Sequence, residues 1–349
     1  MPVFVDTSRD AKATDLRPDN CITIGLINNM SDPALDATER QFVELLRAAA
    51  AKTVVRLLLF SIAEVPRAQT IREEITARYR DVSELWDTHV DGLIVTGTEP
   101  RAKILKDEPF WRTLSRVVDW ARDNTTSTVW SCLAAHAAVL HVDGIERQPT
   151  GEKLFGVFHC DPAASHPMTC DASFGLRVPH SRYNGLPEQA LIACGYRILT
   201  HSAQIGVDMF ARQDRSFHLF LQGHPEYEAI TLLREYRRDI ARYLRRERED
   251  YPGLPEGYFS DEAAAIAVAF RQRALRDRRE HLIASFPMAA LQAGLGAPWQ
   301  DCAIGIYSKW MEYLRGRKTA ERPLTVLRRR AWRDWPKPET EPPAGLSRI

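Results

Sequence analysis

From Cys21 onward, short apolar runs alternate with segments whose apolar residues recur at helical spacing. Ile22–Ile27 (ITIGLI) reads as a buried strand. Thr38–Ala51 follows, with Phe42, Leu45, Leu46 and Ala49 at i, i+3, i+4 and i+7, the stripe of a helix packed on a sheet. Val54–Phe60 and Gly92–Thr96 are further strand candidates. Phe110–Arg122 reads as a helix with Phe110, Leu114, Val117 and Val118 on one face. Thr128–Trp130 is a short strand and Leu133–His141 an alanine-rich helix. This alternation predicts α/β architecture: a mostly parallel sheet with helices on both faces and right-handed connections. Ligands bind such sheets at the carboxyl ends of the strands, which directs attention to the loops after Ile27, Thr96 and Trp130.

Beyond residue 150 the pattern loosens. Ser173–Pro179 and Tyr196–Thr200 look like strand pieces, and Phe217–Leu221 (FHLFL) is a clear strand. Ala229–Arg248 is amphipathic, with Leu232, Leu233, Tyr236, Ile240, Tyr243 and Leu244 on one side and arginines on the other. Asp261–Ser285 and Pro298–Leu314 read as two more helices, after a Pro/Gly turn cluster at 251–258. The expected organisation is a polar arm over 1–20, one α/β domain over 21–314 with helical additions after 250, and a basic, proline-containing tail over 315–349.

Composition narrows the function classes. Lys and Arg number 47 against 46 Asp and Glu, a net charge of +1 over 349 residues, which excludes a globally basic nucleic-acid binder. Hydrophobic residues at 44% and charged residues at 27% fit a packed globular chain. No apolar run has the length of a membrane span, and the first twenty residues lack a signal-peptide core, so the expected location is the cytoplasm.

The sharpest chemical feature is TSTVWSCLAAHAAVLH at 126–141, where a strand leads straight into Cys132 and a helix begins at once. A tight strand-to-helix turn lifts a nucleophile clear of the sheet. The helix N-terminus stabilises a thiolate and supplies N–H groups where an oxyanion forms. A cysteine nucleophile also needs a base, and the base a carboxylate to orient it. LFLQGHPEY at 219–227 offers both, His224 and Glu226, just past a predicted strand. His159, Cys160, His166 and Cys170 crowd together, but their spacing fits no standard zinc pattern, so no metal is expected. His136 and His141, five apart, do not share a helix face well. Walker and GxGxxG phosphate loops are absent.

These stretches resemble the homoserine O-acyltransferases of the homoserine O-succinyltransferase type, which are similar in fold to class I glutamine amidotransferases. The resemblance rests on Ile24–Arg40 (IGLINNMSDPALDATER), Asp91–Gly97 (DGLIVTG), the Cys132 elbow, Gly151–Phe158 (GEKLFGVF), Pro179–Tyr183 (PHSRY) and Gly223–Asp239 (GHPEYEAITLLREYRRD). It implies Cys132 as an acyl-thioester nucleophile, His224 as general base and Glu226 as its partner. It implies Lys153 and Ser181 at the substrate and Arg238 on the homoserine carboxylate. Leu133 and Gly97 would give oxyanion-hole N–H groups. The acyl-selecting position falls on Arg101, where a cation favours succinyl-CoA over acetyl-CoA. No cofactor is implied beyond the acyl-CoA co-substrate, and a homodimer is. Three features depart from the family pattern: Met30–Ala34 lacks the lysines many relatives carry there, the 260–295 segment is longer, and the basic tail is extra. Alternatives are a homoserine O-acetyltransferase and a glutamine amidotransferase-type hydrolase. The flanks Ser131 and Leu133–Ala134 differ from the G-x-C-x-G of the latter. A non-catalytic binding protein on the same fold is a third.

Overall fold

The computed structural model describes residues 3–7, 21–163, 165–169 and 176–320. The first half of the chain gives β1 (Val3–Val5), β2 (Cys21–Ile27), α1 (Leu35–Ala49), β3 (Val54–Ser61), α2 (Gln69–Arg78), β4 (Arg80–Asp81), β5 (Gly92–Val95), α3 (Trp111–Asn124), β6 (Ser127–Ser131) and α4 (Leu133–Asp143). The second half gives β7 (Gln148–Pro162), β8 (Leu176–Gly185), α5 (Glu188–Ala193), β9 (Arg197–Ser202), β10 (Gly206–Gln213) and β11 (Phe217–Leu221). Four helices close the described chain: α6 (Thr231–Leu244), α7 (Asp261–Arg276), α8 (Met288–Gln292) and α9 (Gln300–Ala320).

The strands form one sheet in the order β1-β3-β2-β5-β6-β11-β10-β9-β7-β8, with β4 also paired to β3. Pairings from β1 to β11 are parallel, and those from β11 to β8 antiparallel. The parallel half reads as continuous apolar runs because both faces are covered. Along β3, Leu57 and Leu59 join the cluster under α1 and α9, while Leu58 and Phe60 join the opposite cluster under α3 and α4. That is the alternation a strand imposes. Helix α4 is buried nearly all round from Leu133 to Leu140. A third cluster joins the apolar face of α6, including Leu233, Tyr236 and Ile240, to Phe270 on α7 and Trp299.

Several boundaries differ from those the sequence suggests. The arm expected over 1–20 contributes Val3–Val5 as a parallel edge strand on β3, with Val3 buried. Three residues are too few to show a period. Strands β7 and β10 carry no clear signal, and a strand piece at Ser173–Pro179 becomes the longer β8; residues 173–175 lie outside those described. The first seven residues of β7 are exposed or half-exposed, and β10 carries the buried Asp208, so neither shows a clean apolar alternation. The helix expected over 261–285 ends at Arg276, and a 3-10 turn covers Glu280–Ser285.

Helix α9 runs past the expected Leu314, so the start of the basic tail is helical. It lies against the sheet, with buried Trp310 donating through Nε1 to Ser127 Oγ at 2.8 Å. Lys318 then donates to Asp91 Oδ2 at 2.7 Å and to the Cys21 carbonyl at 2.8 Å. The rest of the tail, from 321, lies outside the described residues.

Candidate active site

Strand β6 is buried along its whole length, and α4 starts one residue after it ends. Cys132, between them, has φ 52° and ψ −115°. A side-chain-bearing residue in that region costs about 1–3 kcal/mol and persists only where the surroundings enforce it. The Cys132 N–H donates to the Leu221 carbonyl at 2.7 Å, and its own carbonyl accepts from the N–H groups of Ala135 and His136. The strain thus fixes the thiol at the carboxyl edge of the sheet, half-exposed to a cavity of about 980 Å³.

The candidate base, His224, arrives from the next strand over. β11 pairs with β6 in register, Leu221 opposite Ser131, so the loop after β11 emerges beside Cys132. His224 Nδ1 lies 2.8 Å from Glu226 Oε1, and its ring stacks on Tyr227 with centroids 4.3 Å apart. The other side of the imidazole makes a hydrogen bond with Cys132. Burial pulls His224 toward the neutral form, but the charges of Glu226 and Cys132 override it and hold its pKa well above the ordinary 6.5. Gly223 permits the turn: a Cβ there would lie 2.5 Å from Val178 Cγ1 and 2.8 Å from both Asp208 Oδ1 and His180 Nε2. The His224 N–H donates to the Pro179 carbonyl at 2.8 Å, tying the turn to β8.

Beside the triad lies a charged cluster from β7, β8 and α6. Lys153 Nζ donates to Asp239 Oδ2 at 2.8 Å and sits 3.7 Å from Glu235 Oε2. Ser181 Oγ donates to that same Glu235 oxygen at 2.5 Å, and Tyr227 OH to the other at 2.7 Å. Arg238 donates through Nε to Asp239 Oδ1 at 2.9 Å, its Nη2 lies 2.9 Å from the same oxygen and 3.7 Å from Glu235 Oε2, and its side chain, 39% exposed, lines the cavity. Burial alone raises the Asp239 pKa, but Lys153 and Arg238 bring it below the usual carboxylate value. Glu235, Asp239 and Tyr227 escaped the sequence reading. The signal was available: Glu235 and Asp239 are four apart on the helix that carries Arg238, and so share its face.

Across the cavity is the loop after β5. Gly97 fits against the elbow, since a Cβ there would lie 2.8 Å from both Leu133 N and Leu133 Cβ. Leu133 opens α4, so its N–H has no intrahelical acceptor. Arg101 lines the same cavity with an exposed side chain, while its N–H and that of Ala102 donate to buried Glu108 Oε1 at 2.6 and 2.7 Å. The first loop, which has no lysine, is held by Arg67, whose guanidinium donates to the carbonyls of Met30 and Asn28. All nine residues singled out from the sequence, Cys132, His224, Glu226, Lys153, Ser181, Arg238, Arg101, Leu133 and Gly97, border this one cavity.

Of the four residues weighed as a zinc cluster, the three described ones do not come together. His159 is exposed beside Asp161, His166 stacks on Phe217, and Cys170 lies outside the described residues. Cys160 instead meets His180 and Asp208, with donor atoms within 4.8 Å of one another. Arg182 Nε donates to His180 Nδ1 at 3.2 Å, which assigns the ring proton to Nε2, facing Asp208 Oδ1 at 3.1 Å. That tautomer offers a cation no imidazole lone pair. Burial brings the His180 pKa down to about 4, so the ring stays neutral and braces the Gly223 turn. His136 and His141 diverge: the first is buried against Gln222 and the second pairs with Asp119.

A strained cysteine at a strand–helix elbow, a His–Glu pair on the adjacent strand end and a charged pocket beside them form a candidate site for cysteine-dependent acyl chemistry on an α/β sheet. The model of the family described as "HTS: Homoserine O-succinyltransferase" matches residues 1–321. A homoserine O-succinyltransferase of Rhodopseudomonas palustris is 48% identical over 290 residues, 83% of this chain and 87% of that one. One from Methylorubrum extorquens is 46% identical over 296 residues, 85% of this chain and 88% of that one. The chain therefore belongs to the homoserine O-succinyltransferase family and is an acyltransferase. Among solved structures, a glutamine amidotransferase from Thermotoga maritima aligns with a TM-score of 0.44 at 10% identity, covering 84% of this chain and 98% of that one.

Proposed function

We propose that the chain moves a succinyl group from succinyl-CoA to the hydroxyl of homoserine through a thioester on Cys132. One observation carries the reading: Cys132, His224 and Glu226 open onto the same cavity as the Lys153–Ser181–Glu235–Arg238–Asp239 cluster. The Cys132 thiolate attacks the acyl carbonyl, and the oxyanion is met by the N–H groups of Leu133 and Gly97. Collapse breaks the bond to the CoA sulfur, which takes the proton held by His224. The homoserine hydroxyl then enters and gives its proton back to His224 as its oxygen attacks the thioester. Expulsion of the Cys132 thiolate releases the ester and restores the enzyme.

The acceptor is a zwitterion, and the cluster offers both signs. Arg238 presents a planar fork to the carboxylate. Glu235, held by Ser181 and Tyr227, faces the cavity as the group for the ammonium. Arg101, on the loop after β5, is on this reading an attractor for the donor's free carboxylate. The function we propose also includes a cytoplasmic location, as the sequence pattern suggests, and a homodimer, on the resemblance alone, with small-molecule substrates and with neither nucleic acid nor membrane as partner. No helix among the described residues is long and apolar enough to cross a membrane.

The test is a product assay with purified protein. Homoserine plus succinyl-CoA should give O-succinylhomoserine faster than acetyl-CoA gives the acetyl ester, with no ammonia from glutamine. Preference for acetyl-CoA would overturn the donor, and glutamine hydrolysis the whole reading.

A further inference from the structure

Arg147 lies in the turn between α4 and β7 and borders the cavity together with Cys132, His136, Arg101 and Glu108. Its side chain is half-buried, yet it makes no hydrogen bond or ion pair with another described residue. Desolvation weighs against its charge, and the attraction of the Glu108 and Cys132 charges acts the other way without overcoming it. Desolvated cations are normally paired with an anion. Glu108 is already engaged, accepting the N–H groups of Arg101 and Ala102 through Oε1 and so anchoring the loop after β5. The cavity therefore presents a guanidinium, in the field of the nucleophile, with no contacting counter-ion among the described residues.

The reaction changes the charge at this place. When the Cys132 thiolate becomes a neutral thioester, Arg147 loses one of the two anions that act on it. An acetyl group returns nothing in exchange. A succinyl group carries a carboxylate two methylenes from the thioester carbonyl, within the same pocket. The phosphates of CoA are the other anions a donor brings. They sit at the far end of the pantetheine arm from the sulfur, whereas Arg147 lies within the electrostatic reach of the sulfur's target.

We propose that Arg147 receives the free carboxylate of the succinyl group on Cys132 and, with Arg101, selects the donor. The proposal rests on the succinyl-CoA reading above. Arg147 lies deeper in the fold than the exposed Arg101 side chain and on a different element, so the two approach the acyl group separately. His136, its buried neighbour in the cavity wall, does not compete for the anion. Burial brings its pKa down to about 3, so it stays neutral.

The experiment compares kcat/KM for succinyl-CoA and acetyl-CoA, at saturating homoserine, in the unsubstituted protein, Arg147→Met and Arg147→Lys. The succinyl-to-acetyl ratio should fall about 10- to 100-fold in the methionine variant, the range for a hydrogen bond to a charged group. Lysine, which keeps the charge without the fork, should retain part of the preference. Thermal melting of each variant separates a folding defect from a change in selectivity, and should Arg147→Met melt early, the ratio in Arg147→Lys decides. A parallel fall with both donors, leaving the ratio within threefold, would overturn the proposal and assign Arg147 to CoA or to Glu108. An unsubstituted protein without succinyl preference would overturn the donor reading instead, and this proposal with it; that result is read before any variant is made.

Discussion

His224 carries the proton traffic of the proposed reaction, and its surroundings decide when it holds the proton. Burial disfavours the imidazolium, but the Glu226 carboxylate at 2.8 Å and the Cys132 sulfur outweigh it, so the folded pKa is raised above 6.5. The sign of the consequence follows. The charged form, and the stability its ion pairs give, is fully present below 6.5 and is lost as pH rises through the folded value. A protonated His224 is what the departing CoA sulfur needs, so acyl-enzyme formation should persist into alkaline solution and then decline. Glu226→Gln removes the largest favourable charge on the ring. Its alkaline limb should shift to lower pH, and its kcat should fall by roughly 10²–10⁴ as in other triads that lose the orienting carboxylate. CoA release followed across pH in both proteins checks this; an unmoved alkaline limb would mean that Glu226 does not set the proton affinity of His224.

At the scale of elements, the site is made where loops of unrelated sequence meet. The Gly97 turn after β5 and the first turn of α4 touch because Gly97 has no Cβ. Gly97→Ala should push the loop off Leu133 N and disturb both proposed oxyanion donors. Loss of one such donor costs about 10²–10³ in kcat elsewhere. We expect a fall of that order with little change in the KM for homoserine, measured in steady-state kinetics; a normal kcat would remove Gly97 from the oxyanion hole. The elbow, the parallel strands and the α6 stripe were legible in the sequence because burial imposes a period on them. In the antiparallel half, β8 and β9 showed as strand pieces, but β7 and β10 were not legible. Asp208 in β10 is a buried carboxylate that accepts from Thr200 Oγ1 at 2.7 Å and faces His180, and such a residue reads as a loop when its partners are unknown. Residue types alone gave Cys132, His224 and Glu226. Lys153, Ser181, Arg238 and Arg101 came from the resemblance, since one arginine among several on α6 has no distinguishing pattern. Arg147 needed the fold, because what marks it is the company it keeps across the cavity.

On the scale of the whole molecule, one continuous sheet sets the relation between the two halves of the site. The parallel half delivers Cys132 and the loop after β5, at the carboxyl edge where doubly wound sheets bind ligands. The antiparallel half delivers Lys153 and Ser181 through β7 and β8, which pair Phe155 with Ser181. Helix α6, backed by α7, then closes the cavity with Glu235, Arg238 and Asp239. Helix α9 fills one face of the parallel half and is part of its core, while α7 and α8 belong to the separate cluster built on α6. The account stands on covalent transfer through one cysteine. The most direct measurement is the intact mass of the protein mixed with succinyl-CoA in the absence of homoserine, followed by peptide mapping. A single succinyl group on Cys132, discharged when homoserine is added and absent in Cys132→Ala, is the predicted result. Turnover with Cys132 unmodified, or retained in Cys132→Ala, would contradict it.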